Sequence, residues 1–417
     1  MTKPIHPTLQ VLALPAVRVF LLARFTMLFA RALIAAMLAY HLFAITDSYA
    51  ALGILGLVEF LPVIPVSLLG GAFADRFDRR TLLILTACGS LIGAGFLTYL
   101  GAAQPESVEG LMITAFGLAT INAISRPAGS ALLPNLVPRR IFQNASVVAS
   151  SVIQMAFITG PITMGFLVAE YGFEAPYALA TLFYAFTIGL LFYLKTPTLK
   201  KEKGDISWKA IREGISFVKH NQAILGSVTL DMLAVIFAGA TALLPVYAHE
   251  ILEVGPEGYG LLRAALGMGT FSMALLLMVI KPFKRPGQAL LVAVLVFGIA
   301  TITFGLSRSM PLSMLAFIVA GMADQVSMTA RSVILQLSTP DALRGRVSAV
   351  NFIFIGASNE LGDAESGFLA SLTSATFSVV SGGLVCLGVL GWITVRMPDL
   401  RKYDPAIVEK VASGSTD

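Results

Sequence analysis

Five carboxylates stand inside stretches that are otherwise almost wholly apolar: Glu59, Asp231, Asp324, Glu360 and Asp363. An ionisable group in hydrocarbon is costly and is retained where it meets a counter-charge, a watery cavity or a substrate. A buried acid can carry a proton, because low dielectric and like-charged neighbours favour its neutral form and a water path favours its ionised form. Glu360 and Asp363 lie three residues apart, so a helix puts them on one side together with Gly356 and Gly367. They form the closely spaced pair among these five acids and, with Glu59, are the expected proton-coupling residues. The plainer alternative is that these acids are structural partners of Arg31 and Arg263, which stand at comparable depth in their own apolar runs.

The elements that must hold these residues are membrane helices. The chain has 417 residues, 56% of them hydrophobic and 13% charged, with a mean hydropathy of +0.82. A soluble domain carries roughly 25% charged residues, so too little charge is present to cover a water-facing surface. Twelve apolar runs of about 20 residues can be read, near 18–44, 49–71, 81–101, 109–130, 145–169, 175–194, 222–247, 257–280, 288–306, 311–334, 347–370 and 375–395. The first run is interrupted by Arg18, Arg24 and Arg31, unlike a cleaved leader, and is expected to be a retained span. Lysines and arginines crowd one set of connections, including Lys195 to Lys219, and the opposite set offers only Arg308. The positive-inside rule then predicts both termini and the central loop in the cytoplasm.

Several function classes fail on the same residues. The net charge of +5 punctuates apolar runs and does not form a nucleic-acid footprint, so no nucleic-acid partner is expected. Cys88 and Cys386 both lie in apolar runs, and no Cys/His cluster has metal-ligand spacing, so neither metal nor cofactor is expected. No H-E-x-x-H, G-x-S-x-G or P-loop pattern is present, and the chain is read as a non-enzyme.

The halves resemble each other at an offset of about 202 residues: Gly160 falls on Gly362 and Gly165-Phe166-Leu167 on Gly367-Phe368-Leu369. Parallel six-helix repeats are one architecture of secondary transporters. After the second run comes Gly71-Ala72-Phe73-Ala74-Asp75-Arg76-Phe77-Asp78-Arg79-Arg80, which resembles the G-x-x-x-D-R-x-G-R-R signature of the major facilitator superfamily, with Asp78 where that family has glycine. Leu22-Ala23-Arg24-Phe25, Leu132-Leu133-Pro134-Asn135-Leu136-Val137-Pro138 and Gly345-Arg346-Val347-Ser348-Ala349-Val350-Asn351 resemble the enterobactin-exporter branch of that superfamily, the transmembrane secretion effectors.

The resemblance implies an all-α membrane protein of twelve transmembrane helices in two six-helix halves: 1–194, a cytoplasmic central loop 195–221, 222–396, and a cytoplasmic tail 397–417. It implies a monomeric, multi-pass protein of the bacterial inner membrane. Its function would be proton-coupled export of a small amphiphilic molecule, siderophore or drug-like, by alternating access; the alternative is an importer or a lipid or lysophospholipid flippase on the same fold. Gly71, Asp75, Arg76, Arg79 and Arg80 would form its cytoplasmic gate. Because the family's first, fourth, seventh and tenth helices line the cavity, Arg31, Asp231 and Asp324 are expected to contact substrate, with Arg263 beside them.

Overall fold

The computed structural model describes residues 7–63, 65–66, 78–194, 208–280 and 283–405, and these are helical nearly throughout. The principal helices are α1 (Pro7–Leu12), α2 (Pro15–Thr46), α3 (Tyr49–Phe60), α4 (Arg79–Ala103), α5 (Val108–Leu136), α6 (Phe142–Tyr171) and α7 (Glu174–Tyr193). They are followed by α8 (Trp208–His220), α9 (Gln222–Ala238), α10 (Gly255–Val279), α11 (Pro286–Leu306), α12 (Met310–Ser338), α13 (Asp341–Leu372), α14 (Ala375–Arg396) and α15 (Pro398–Arg401). Among the described residues ten helical segments are long and apolar enough to cross a membrane, and α3 is a shorter apolar helix. Helix α13 is 32 residues long but falls outside that set because its polar residues dilute its hydropathy.

Local chemistry sets many of the helix ends. The side chains of Asp78, Ser107, Asn221 and Ser374 each accept a hydrogen bond from a backbone N–H three residues on, capping α4, α5, α9 and α14. Asp78 therefore has its own use in place of the family's glycine: its carboxylate accepts from Thr81 N at 3.0 Å and Thr81 Oγ1 at 3.2 Å. Gly172, at φ 79°, ends α6 in a conformation that a Cβ would strain. The stretch 195–221 is not all loop, for α8 occupies its second part and Gly214 lies against the Arg346 carbonyl of α13.

Two compact units emerge; they largely follow the halves of the sequence, except that 48–57 groups with the second and 254–264 with the first. Unit 1 comprises 1–47, 58–204 and 254–264; unit 2 comprises 48–57, 205–253 and 265–417. In unit 1 a core of Val17, Phe20, Leu83, Leu132, Leu191 and neighbours packs α2, α4, α5 and α7 together. In unit 2 the corresponding core joins Ile224, Leu230, Val294, Ile334, Val347 and Cys386.

The sequence repeat has a packing cause in both units. A Cβ on Gly160 would come within 3.0 Å of Leu33 N on α2, and one on Gly362 within 2.8 Å of Val235 O on α9. Likewise a Cβ on Gly165 would lie 2.5 Å from Pro256 O, and one on Gly367 would lie 2.4 Å from Gly53 N. Each repeated glycine is thus a place where two helix backbones touch, in the manner of small-residue crossings in membranes.

The run 222–247 lies within one apolar segment long enough to span, Gln222–Ile251, but its helix breaks at Gly239–Ala240 and resumes through a 3₁₀ turn (Thr241–Leu243), a helical turn (Leu244–Val246) and a π turn (Tyr247–Ile251). Gly239 and Pro245 are the local reason, since glycine is a weak helix former and proline offers no N–H.

Candidate functional site

The break in α9 opens onto a cavity of about 100 Å³ inside unit 2. Its walls are Val235, Gly239 and Thr241 of the broken segment, Phe297 and Phe304 of α11, and Phe317 and Asp324 of α12, with Asn359 of α13. Backbone carbonyls freed by a helix break must find donors when no bulk water is at hand. Here Ser366 Oγ donates to Gly239 O at 3.1 Å, and Thr301 Oγ1 donates to Ala238 O at 3.4 Å. The aromatic wall is internally ordered: Phe304 meets Phe317 edge-on at 4.4 Å and Tyr247 at 4.3 Å.

Beneath this cavity lies a charge cluster. Asp231 of α9 pairs with Arg331 of α12, the two being only 6% and 4% exposed. Ser327 Oγ donates to the other oxygen of Asp231 at 3.3 Å. Asp324 is half-buried and lines both the cavity and a smaller void of about 10 Å³ that it shares with Asp231 and Ser327, enough for about one water. Asp324, Ser327 and Arg331 follow one another at spacings of three and four on α12, so one helix face presents a carboxylate, a hydroxyl and a guanidinium in sequence. Two carboxylates against one guanidinium leave one negative charge uncompensated whenever both are ionised. A dry site resists that charge unless a proton, a cation or a cationic ligand joins it.

The other expected site residues fall elsewhere. Arg31 and Arg263 both belong to unit 1, so neither shares a unit with Asp231 or Asp324. Arg263 Nη1 donates to Tyr259 Oη at 3.0 Å, and Tyr259 Oη donates to Ala36 O at 2.9 Å, tying α10 to α2. Arg31 is half-buried near Tyr184 of α7. Glu59 closes α3 on the part of that helix grouped with unit 1. Asp363 accepts from Thr241 Oγ1 at 2.8 Å, which fastens α13 to the resumed part of the broken span. Glu360 sits one turn away, its carbonyl oxygen 3.0 Å from where a Cβ of Gly56 would be.

Of the expected gate, Gly71, Asp75 and Arg76 lie outside the described residues. Arg79 begins α4, and Arg80 reaches across to α7, donating from Nε to Leu191 O and from Nη2 to Phe192 O, each at 2.7 Å. It thereby satisfies two carbonyls that the end of α7 leaves open. His41, at the far end of α2, is wholly buried. Its Nε2 donates to Pro105 O at 2.8 Å and its Nδ1 accepts from Tyr177 Oη at 3.2 Å.

Three participants escape a reading of the sequence. Periodicity puts Arg331 on the face of Asp324 but near a helix end, and Ser327 and Asn359 carry no signal of their own. The break in α9 does carry one, for an apolar run interrupted by glycine and proline is the usual sign of a discontinuous membrane helix at a binding site.

Against known proteins, the family described as transmembrane secretion effector matches residues 19–412. This chain belongs to that family. Among curated relatives, the enterobactin exporter EntS of Escherichia coli O6:K15:H31 (strain 536 / UPEC) is 25% identical over 411 residues, covering 96% of each chain. A POT family transporter solved in complex with 5-aminolevulinic acid superposes with a TM-score of 0.74 at 15% identity, covering 92% of this chain and 96% of the other. The nucleoside transporter NupG gives 0.70 at 14%, covering 94% and 100%. As a transmembrane secretion effector the protein is a multi-pass transporter of the major facilitator type and not an enzyme.

Proposed function

We propose that this transmembrane secretion effector is a proton-coupled secondary exporter of a small amphiphilic molecule, working by alternating access across the bacterial inner membrane with both termini in the cytoplasm. The twelve-span reading takes α3 with the residues that follow it, and α13, as the second and eleventh spans. Export is carried over from the relative EntS, an enterobactin exporter. The observation that carries proton coupling is the cluster of Asp231, Asp324 and Arg331 beside a broken helix and a cavity.

Asp324 is the proton-exchanging carboxylate in this scheme. The ion pair of Asp231 with Arg331 is the fixed partner, and protonation of Asp324 removes the charge left over. The aromatic wall and the single carboxylate suit a cargo with an apolar ring and a polar or cationic group. The cavity is small beside the roughly 300–1,000 Å³ of ligand pockets, so at about 100 Å³ it receives one group of the cargo. Asp363 is assigned to holding α13 against the resumed span, on the strength of the Thr241 bond, and Glu360 neighbours it one turn away where the α13 backbone meets Gly56 of α3.

The test is flux in reconstituted vesicles with enterobactin as trial cargo, comparing uptake driven by a proton gradient with exchange at equal pH. Asp324→Asn should abolish the first and spare the second, whereas the double variant Glu360→Gln, Asp363→Asn should keep gradient-driven flux. The reverse pattern would return coupling to the α13 pair. Impermeant thiol labelling of a cysteine replacing Lys203 in intact cells would overturn the cytoplasmic placement of the central segment.

A further inference from the structure

On the outer flank of unit 2, a groove of about 630 Å³ runs between α10 and α11 with α12 as its floor. It arises because α10 and α12 touch backbone to backbone at two glycines: a Cβ on Gly269 would lie 2.0 Å from Ile318 O, and one on Gly321 would lie 2.0 Å from Leu266 O. One turn beyond Gly269, Met273 forms one wall, Val292 and Val296 the other, and Met322 and Val326 the floor. Val292 is 59% exposed and Val296 36%, so the groove opens sideways to the lipid. From Gln288 to Val296 it extends about 12 Å along α11 at 1.5 Å per residue.

The charge on this groove is all at one end. Arg285 and Gln288 close it there, both exposed, with Lys284 adjacent. Among the described residues neither Lys284 nor Arg285 is in an ion pair. The remaining lining is wholly apolar. An apolar groove of this volume and length, ending in two such cations and an amide, matches one molecule in both parts: a hydrocarbon tail and an anionic phosphate.

We propose that this groove holds one anionic phospholipid, its acyl chain along Val292 and Val296 and its phosphate on Lys284 and Arg285. Apolar burial gives no preference between lipids inside a bilayer, so the selection is electrostatic and belongs to the two basic residues. The lipid is a resident ligand and not the cargo, and its site is separate from the cavity at the α9 break.

The experiment places a single tryptophan at the rim. Leu295→Trp, in a background with Trp208→Phe and Trp392→Phe, is reconstituted into vesicles containing brominated phosphatidylglycerol or brominated phosphatidylcholine in both leaflets. Leu384→Trp on α14, also exposed, serves as the reference away from the groove. Quenching at Leu295→Trp should show an association constant for phosphatidylglycerol roughly fivefold above phosphatidylcholine, on the scale of one basic residue near an anionic surface. The ratio should be near one at Leu384→Trp. Adding Lys284→Gln and Arg285→Gln should bring the groove ratio to about one. Equal ratios at the two reporters, or a preference that survives removal of both charges, would overturn the proposal. Native mass spectrometry of the unmutated chain, extracted from mixed vesicles, should likewise retain phosphatidylglycerol above its bulk share. Retention in bulk proportion would count against it.

Discussion

Removing the positive member of the buried cluster should cost more than removing the negative one. In Arg331→Met, Asp231 loses its partner and Asp324 loses the only described cation in its cluster, so two carboxylates face each other without compensation. In Asp231→Asn, Arg331 still has Asp324 for its charge, and the amide oxygen of the new side chain can still accept from Ser327. Breaking a buried ion pair by deleting one partner costs about 3–5 kcal/mol, which is the expectation for Arg331→Met. Asp231→Asn should cost about 1–2 kcal/mol, the scale of one weakened hydrogen bond to a charged group. The double variant Asp231→Asn, Arg331→Met leaves one carboxylate instead of two and should lie between them. If unit 2 unfolds as a body of roughly 200 residues, each kcal/mol corresponds to about 2–4 °C in Tm, so Arg331→Met should melt roughly 10 °C lower. In a Cys88→Ala background, Cys386, wholly buried, makes thiol-reactive fluorescence a melting assay for this unit. Acidification from about pH 7.5 to about pH 5 should raise the Tm of Arg331→Met relative to the parent, because protons replace the missing cation. A Tm for Asp231→Asn at or below that of Arg331→Met would refute the charge count.

Gly367→Val should lower Tm by several degrees through an overpacking cost of about 1–3 kcal/mol, since a Cβ there meets Gly53 N at 2.4 Å. Gly388→Val, with nothing within 4 Å, is the control and should change Tm little. Arg80→Lys keeps the charge but loses the two-pronged grip on Leu191 and Phe192, and should cost about 1 kcal/mol, read as a lower Tm of the whole chain by circular dichroism. His41→Phe fits the space but strips Tyr177 of its acceptor and Pro105 of its donor, and should cost about 2–3 kcal/mol. His41→Gln, which can replace at least one of those bonds, should recover part of the loss.

How much of this was legible in the residues themselves depends on the range of the interaction. Apolar runs, capping residues such as Asp78 and Ser374, and the glycine at the end of α6 act within a few residues, so the helices and most of their ends follow from local sequence. The repeat of Gly160 with Gly362 and of Gly165 with Gly367 was visible as a pattern, but its meaning was not: backbone contact involves a partner helix that no spacing names. The same limit governs charges. Periodicity placed Asp324 and Arg331 on one face of α12, yet depth alone matched Asp231 to Arg31 or Arg263, and the fold put those two arginines in the other unit and gave Asp231 to Arg331. Helix crossings choose ion pairs, and crossings are decided by side-chain shape summed over many contacts. The interruption at Gly239 was written in the sequence as glycine and proline in an apolar run; whether it would become a kink or a cavity depended on Ser366 and Thr301 arriving from other helices to satisfy the freed carbonyls.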